Sequence, residues 1–173
     1  MPFSTRSRLL LLILILGCTV SCDQTSKHIA RAELKAGESV PLPGGFGEFR
    51  LAENPGSFLN LGASLPRSLR LGLLTVGVAV ALVGLFAYLA RGPRLTRYSF
   101  IGLALVGAGG TSNLIDRIVR HGLVTDFIFL EVGPFHTGIF NAADVMIMLG
   151  LAFLVCNLWR RREPPLADSP GNS

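Results

Sequence analysis

The residues in this chain whose types and spacing could do chemistry are carboxylates and amides set into apolar sequence. Gly138-Ile139-Phe140-Asn141-Ala142-Ala143-Asp144-Val145-Met146 opens a run from Ile139 to Trp159, 21 residues long, in which Asp144 is the only charge. Roughly 20 apolar residues cross the hydrocarbon core of a bilayer as a helix, so the run reads as a transmembrane helix. A carboxylate inside such a helix costs about 2.5–3.5 kcal/mol on insertion scales, and it marks a function by default. Asn141, three residues before Asp144, falls on the same helical face and can donate a hydrogen bond towards the same place. A second acid, Asp126, sits in Val124-Thr125-Asp126-Phe127-Ile128-Phe129-Leu130-Glu131-Val132, a strand-like run too short to span before Gly133-Pro134 breaks it. Lying at the membrane surface, that run brings Asp126 near the mouth of the helix carrying Asp144. Two such acids sharing one proton can activate water, one taking a proton while the other protonates a scissile carbonyl. The other use of intramembrane carboxylates is a proton or ion path, which would want ionisable groups along the full depth of the spans.

Other chemistries find less support. There is no Ser–His pair at matched depth, no Cys beside a His, and His28, His121 and His136 lack the spacing of metal ligands. Cys18, Cys22 and Cys156 all lie in apolar runs and give no disulfide framework. Half of the 173 residues are hydrophobic and only 16% are charged, too few to solvate a soluble domain of this size. The net charge of +5 comes from basic residues at the edges of apolar runs, a membrane-topology pattern and not a nucleic-acid surface.

These side chains must be positioned by four apolar spans, expected over 9–29, 69–90, 98–117 and 139–159. Gly107, Gly109 and Gly110 in the third span allow close helix approach. That span ends in Asn113-Leu114-Ile115-Asp116-Arg117, which puts Asn113, Asp116 and Arg117 on one face. A mixed-polarity insert covers 30–68 and 120–138, with strands expected near 46–52 and 124–132 and turn chemistry in Glu53-Asn54-Pro55-Gly56-Ser57-Phe58. Residues 1–165 are expected to form a single membrane-embedded domain, followed by a disordered tail over 166–173. At the start, Arg6, Arg8 and Leu14-Ile15-Leu16-Gly17-Cys18 resemble a lipoprotein signal with its lipobox. The three further spans argue instead that the first helix is retained, with Cys18 unmodified and Asp23 in the helix's last turns.

The basic clusters Arg6/Arg8, Arg91/Arg94/Arg97 and Arg160–Arg162 fall on one side of such a bundle. By the positive-inside rule that side is cytoplasmic, with both termini inside. Asp23, Asn54, Asn113, Asp116, Arg117, Asp126, Asn141 and Asp144 then converge on the outer face.

Asp23-Gln24-Thr25-Ser26-Lys27, Glu53–Phe58, Gly109-Gly110-Thr111-Ser112-Asn113-Leu114-Ile115-Asp116-Arg117, Val124-Thr125-Asp126-Phe127 and Phe140-Asn141-Ala142-Ala143-Asp144 occur in this order. Together, over roughly residues 8–160, they resemble the lipoprotein signal peptidase (signal peptidase II) family. The resemblance implies a membrane α-helical fold of four transmembrane helices with a small β-structure at the outer, periplasmic surface of the bacterial inner membrane. It implies an aspartic endopeptidase that cleaves prolipoproteins just before the diacylglyceryl-modified lipobox cysteine and needs no metal or other cofactor. Asp126 and Asp144 would be the catalytic pair. Asn54, Asn113, Arg117 and Asn141 would position substrate or the pair, and Asp23 and Asp116 would support the site. The expected partners are diacylglyceryl-modified prolipoproteins and membrane lipids, with no nucleic acid. The chain would act as a monomer, and the resemblance suggests inhibition by globomycin-type peptide antibiotics. There are two departures from the family's pattern. Asn54-Pro55-Gly56-Ser57-Phe58 is one residue shorter than the family's Asn-x-Gly-Ala-Ala-Phe, and Ser112 stands where the family has glycine.

Overall fold

The structure, a computed structural model, describes residues 4–35, 37–56, 64–91 and 95–160. The readings placed on Ser57 and Phe58, on residues 92–94, on Arg161 and Arg162 and on the 166–173 tail lie outside these residues.

Four helices are long and apolar enough to cross a membrane: α1 (Thr5–Glu33), α2 (Arg67–Ala90), α3 (Arg97–Val119) and α4 (Ala142–Arg160). Ser4 caps α1 by accepting from the Ser7 N–H at 3.1 Å, and Thr96 caps α3 by accepting from the Ser99 N–H at 3.1 Å. With 29 residues, α1 is about 43 Å long at ~1.5 Å per residue, which exceeds the ~30 Å hydrocarbon core. It runs past the expected end at Ile29, so Asp23 lies about three turns before the helix end and not in its last turns. A π-helical stretch, Gly72–Gly77, interrupts α2.

Burial is inverted relative to a soluble bundle. Asp23, Lys27, Ser112, Asn113, Asp116, Arg117, Asn141 and Asp144 are buried, while Leu10, Ile13, Val80, Val83 and Leu158 face outwards. Such a chain is stable only in apolar surroundings, and it is a multi-pass membrane protein.

The backbones of α3 and α4 touch where neither carries a side chain. A Cβ on Gly150 would lie 2.6 Å from the Gly102 carbonyl oxygen, and one on Gly102 would lie 2.8 Å from that of Gly150. Gly150→Ala therefore has to push the helices apart, at an expected cost of about 1–3 kcal/mol. Gly84→Ala, with nothing within 4 Å of the new carbon, should be near neutral. Thermal unfolding of the two variants in detergent checks the difference. At the end of this helix pair remote from the sheet, Asn157 on α4 accepts from Thr96 and donates to Ser99, both at 2.9 Å.

A four-stranded antiparallel sheet of order β1-β2-β3-β4 stands at the other end, from β1 (Ser39–Pro41), β2 (Gly47–Asn54), β3 (Val124–Val132) and β4 (Phe135–His136). Phe49 pairs with Ile128 but Ala52 with Asp126, so Arg50 and Leu51 together oppose Phe127, a β-bulge. One extra residue flips the alternation beyond it. It puts Asn54, instead of Glu53, on the face that meets Asp126. Asn54 is thus the last residue of a strand and not part of a turn, because ladder pairing with Val124 continues to it. The turn begins only after it, where the Asn54 side chain accepts from the Gly56 N–H at 2.8 Å.

Candidate active site

The site is built where α4 begins. The Asn141 side chain accepts from the Asp144 N–H at 3.0 Å, and the Asp144 carboxylate accepts from the Asn141 N–H at 3.2 Å. This reciprocal pair is a capping box, so Asn141 is the residue before the helix and not a member of its face. The helix starts at Ala142, three residues later than the span read from Ile139. Phe140 is held by β3, exchanging hydrogen bonds of 2.9 Å with Ile128 and accepting from the Phe127 N–H at 3.0 Å. That bridge sets the helix start beside Asp126.

The amide nitrogen of Asn141, left over from capping, donates to Asp126 Oδ1 at 2.6 Å and to Asn113 Oδ1 at 3.2 Å. Asn54 donates to Asp126 Oδ2 at 2.8 Å, and Asn113 donates to Asp144 Oδ1 at 3.0 Å. Each of the four carboxylate oxygens therefore accepts an N–H, and Asn141 touches both acids. Burial pushes the Asp126 carboxyl up from its ordinary 3.8 to about 6. The Asn54 hydrogen bond opposes this shift, the charge of Asp144 adds to it, and Asn141 and Lys27 oppose it.

Beneath the two acids lies a layer that sequence reasoning only partly found. Asp23 accepts from the Ala143 N–H at 2.8 Å, which satisfies another free amide of α4's first turn, and from the Ser112 hydroxyl at 2.7 Å. Ser112, one of the two departures from the family pattern, thus hydrogen-bonds an acid of the site. Asp116 accepts from the Thr125 N–H at 3.0 Å, tying α3 to the strand of Asp126, and Gln24 donates to Asp116 at 3.2 Å. Lys27 was missed as a site residue. It is wholly buried and reaches Asp23 at 2.7 Å, Asp116 at 3.1 Å and Asn113 at 2.9 Å. The available signal was its position four residues after Asp23 on an apolar helix. Among the described residues, no group of three His, Cys, Asp or Glu side chains is gathered as metal ligands.

Arg117 closes the site towards the loop after β2, donating to the Gly56 carbonyl at 2.9 Å and to the Asn113 carbonyl at 3.3 Å. Arg120, one turn on, pairs with Glu53 at a third of full exposure. Lysine in place of Arg117 keeps the charge but cannot span both carbonyls as a fork. Arg117→Lys is therefore expected to lower turnover by about 10-fold or more, since misplacement of site groups is costly. Arg120→Lys should change it by less than ~2-fold, as exposed pairs contribute little. Equal, mild losses in a turnover assay would reduce Arg117 to an interfacial anchor.

Two cavities flank the acids and share Gly138. One, of about 580 Å3, runs along the outward face of α4 past Phe140, Val145, Met148 and Leu149 and ends at Asp144. The other, of about 220 Å3, is lined by Ala52, Glu53, Asn54 and Pro55 and ends at Asp126.

A bundle of four apolar helices that buries a pair of acids under a small sheet has the architecture of a membrane enzyme. The fold matches a solved structure described as a bacterial membrane enzyme obtained by the in meso method at 2.3 Å, with TM-score 0.75, 22% identity and 94% of each chain covered. A second such structure, at 1.9 Å, gives TM-score 0.74 and 24% identity over 92% of this chain and 94% of the other. The chain belongs to the signal peptidase II family, a family of peptidases whose model, signal peptidase (SPase) II, matches residues 14–160. Among similar curated proteins, the lipoprotein signal peptidase of Syntrophus aciditrophicus is 33% identical over 156 residues, covering 90% of this chain and 96% of the relative. That of Moorella thermoacetica is 36% identical over 158 residues, covering 91% and 93%.

Proposed function

We propose that this chain removes signal peptides from bacterial prolipoproteins as an aspartic endopeptidase, cutting just before the diacylglyceryl-modified lipobox cysteine, with Asp126 and Asp144 activating water. The observation that carries the reading is the meeting of two buried acids from different elements at one residue, Asn141, whose side-chain amide donates to the Asp126 carboxylate and whose backbone N–H donates to the Asp144 carboxylate. Asp126, raised to about 6 by burial, is the acid in this reading. Asp144 lies at the positive end of α4 with two N–H donors on its carboxylate, and in this reading it is the base. Asp144 takes a proton from water as the water oxygen attacks the scissile carbonyl carbon, and Asp126 gives its proton to the carbonyl oxygen. In the collapse, Asp144 returns its proton to the leaving nitrogen and Asp126 takes one from the diol. The C–N bond breaks, and the pair is left with the single proton it began with.

The larger, apolar cavity suits the lipid and the apolar signal segment of such a substrate, and the family membership supports that substrate class. Residues 1–165 act as one domain of the inner membrane, as a monomer among lipids and without metal. Both termini lie in the cytoplasm and the sheet on the periplasmic side, as the positive-inside rule requires. Reporters fused after Arg94 and Arg162 should be cytoplasmic, and their exposure outside the cell would put the acids on the wrong face. Globomycin-type peptides would act as inhibitors.

The deciding experiment incubates purified protein with a diacylglyceryl-modified prolipoprotein, with chelator present and absent. The expected product, read by mass spectrometry, begins at the modified cysteine in both samples. Cutting elsewhere, or no cutting, overturns the reading.

A further inference from the structure

Lys27 is the largest of the fully buried side chains among the described residues. An ammonium has three protons and can only donate. Here it meets three acceptors, Asp23 Oδ2 at 2.7 Å, Asp116 Oδ2 at 3.1 Å and Asn113 Oδ1 at 2.9 Å. The two carboxylates already over-neutralise the cation, so charge balance does not call for the third contact. That contact selects an orientation. A donor-only group facing the Asn113 amide fixes its oxygen towards α1, which leaves Nδ2 pointing at Asp144 Oδ1, 3.0 Å away. With the amide turned over, an oxygen would face the carboxylate and Asp144 would lose a donor. The Asn141 amide, at 3.2 Å, supports the same orientation at longer range.

We propose that Lys27 is a positioning residue of the peptidase. Held by Asp23 and Asp116, it locks the Asn113 amide so that Asp144 keeps the hydrogen bond that aims its carboxylate at the water. This inference rests on the Asp126–Asp144 reading given above. Among the described residues, the charged groups around the pair are Asp23, Lys27 and Arg31 from α1, Glu53 from β2, and Asp116, Arg117 and Arg120 from α3. Lys27 is the cation among them that the hydrogen bonds connect to Asp144 through a side-chain amide. Its charge also opposes the upward shift at Asp126. Its loss should therefore displace the high-pH limb of activity upwards as well.

The test compares Lys27→Met, Asn113→Ala and their combination, with kcat and KM measured on diacylglyceryl-modified prolipoprotein across pH. Removing the lysine strands two buried acids, so Lys27→Met/Asp116→Asn serves as a second variant with one acid neutralised. Each single variant should lose about 30-fold or more in kcat, with KM within ~3-fold, on the scale of one positioned acid–base partner. The combination should be worse than either single variant by no more than ~3-fold, because both remove one link. A folded lysine variant with near-normal kcat overturns the proposal, as do single losses that multiply. If neither lysine variant folds, Asn113→Ala decides: full turnover without that amide also overturns it. Activity in Asp126→Asn or Asp144→Asn would instead overturn the underlying dyad. Inactive aspartate variants beside an active, folded Lys27→Met would remove this inference alone.

Discussion

Asp144→Asn should capture prolipoprotein and leave it uncut. Asparagine keeps the shape of the side chain but cannot take a proton from water, so turnover should fall by at least ~100-fold, the usual minimum for one acid–base group. Capture should survive because it draws on the apolar cavity along α4, of which Asp144 forms only the end. Asp126→Asn should be equally inactive for the complementary reason, having no proton to give to the carbonyl. The pH profile of the parent protein provides a check without mutation. The one-proton form is the active one, so kcat/KM should trace a bell whose limbs belong to the pair. Loss of the remaining proton abolishes activity, and burial moves that limb up from the ordinary 3.8 of an aspartate towards the value of about 6 at Asp126. A bound, water-excluding substrate should carry the corresponding limb of kcat higher still. Near-normal turnover with Asn at either position would end the dyad hypothesis.

Asn141 should show the second large effect, divisible into two parts. Asn141→Ala removes the cap of α4 and the donor to Asp126 together. Loss of the cap should cost about 0.5–2 kcal/mol of stability. Loss of the side-chain donor to Asp126 should lower turnover by about 100-fold or more, as for other positioned donors in catalytic sites. Asn141→Asp separates the parts. Its carboxylate can still accept from the Asp144 N–H, so the cap survives, but it faces Asp126 with a second negative charge in place of an amide. Activity as low as in Asn141→Ala is the expected pattern, with the retained cap offsetting part of what the added buried charge costs. Thermal unfolding and a cleavage assay on the same preparations give both readings. Full activity in Asn141→Asp would show that Asn141 is only a helix cap.

The four spans were legible because each is a run of about 20 residues that no other environment would tolerate. Asp144 was legible for the same reason in reverse, as a charge that no span needs, and Asp126 as an acid set in a strand-like run. Asn141 was found, but its geometry was not. Periodicity put it on a helix face with Asp144, whereas a capping box places those two residues against one another at the helix start. Asn54 was read as turn chemistry because Pro55-Gly56 follows it, and the bulge that carries β2 through to Asn54 leaves no residue signature. Lys27 stayed hidden for a different reason. A lysine near the end of an apolar helix ordinarily reaches for the interface, and its partner Asn113 stands 86 residues away in sequence. The i, i+4 spacing of Lys27 from Asp23 is the one local sign, and partners that meet only through tertiary packing add none.

The two cavities that share Gly138 would give the proposed reaction two entrances. On the proposed mechanism, an apolar reactant following the larger cavity along α4 would reach Asp144, and water entering the smaller one past Asn54 and Pro55 would reach Asp126. The reactants would then arrive from different phases and would not queue for one channel. A small polar molecule lodged in the 220 Å3 opening would starve the reaction of water while the peptide still docked. Its inhibition could not be relieved by adding more substrate, and this kinetic signature would separate it from any inhibitor that imitates the lipid-borne partner.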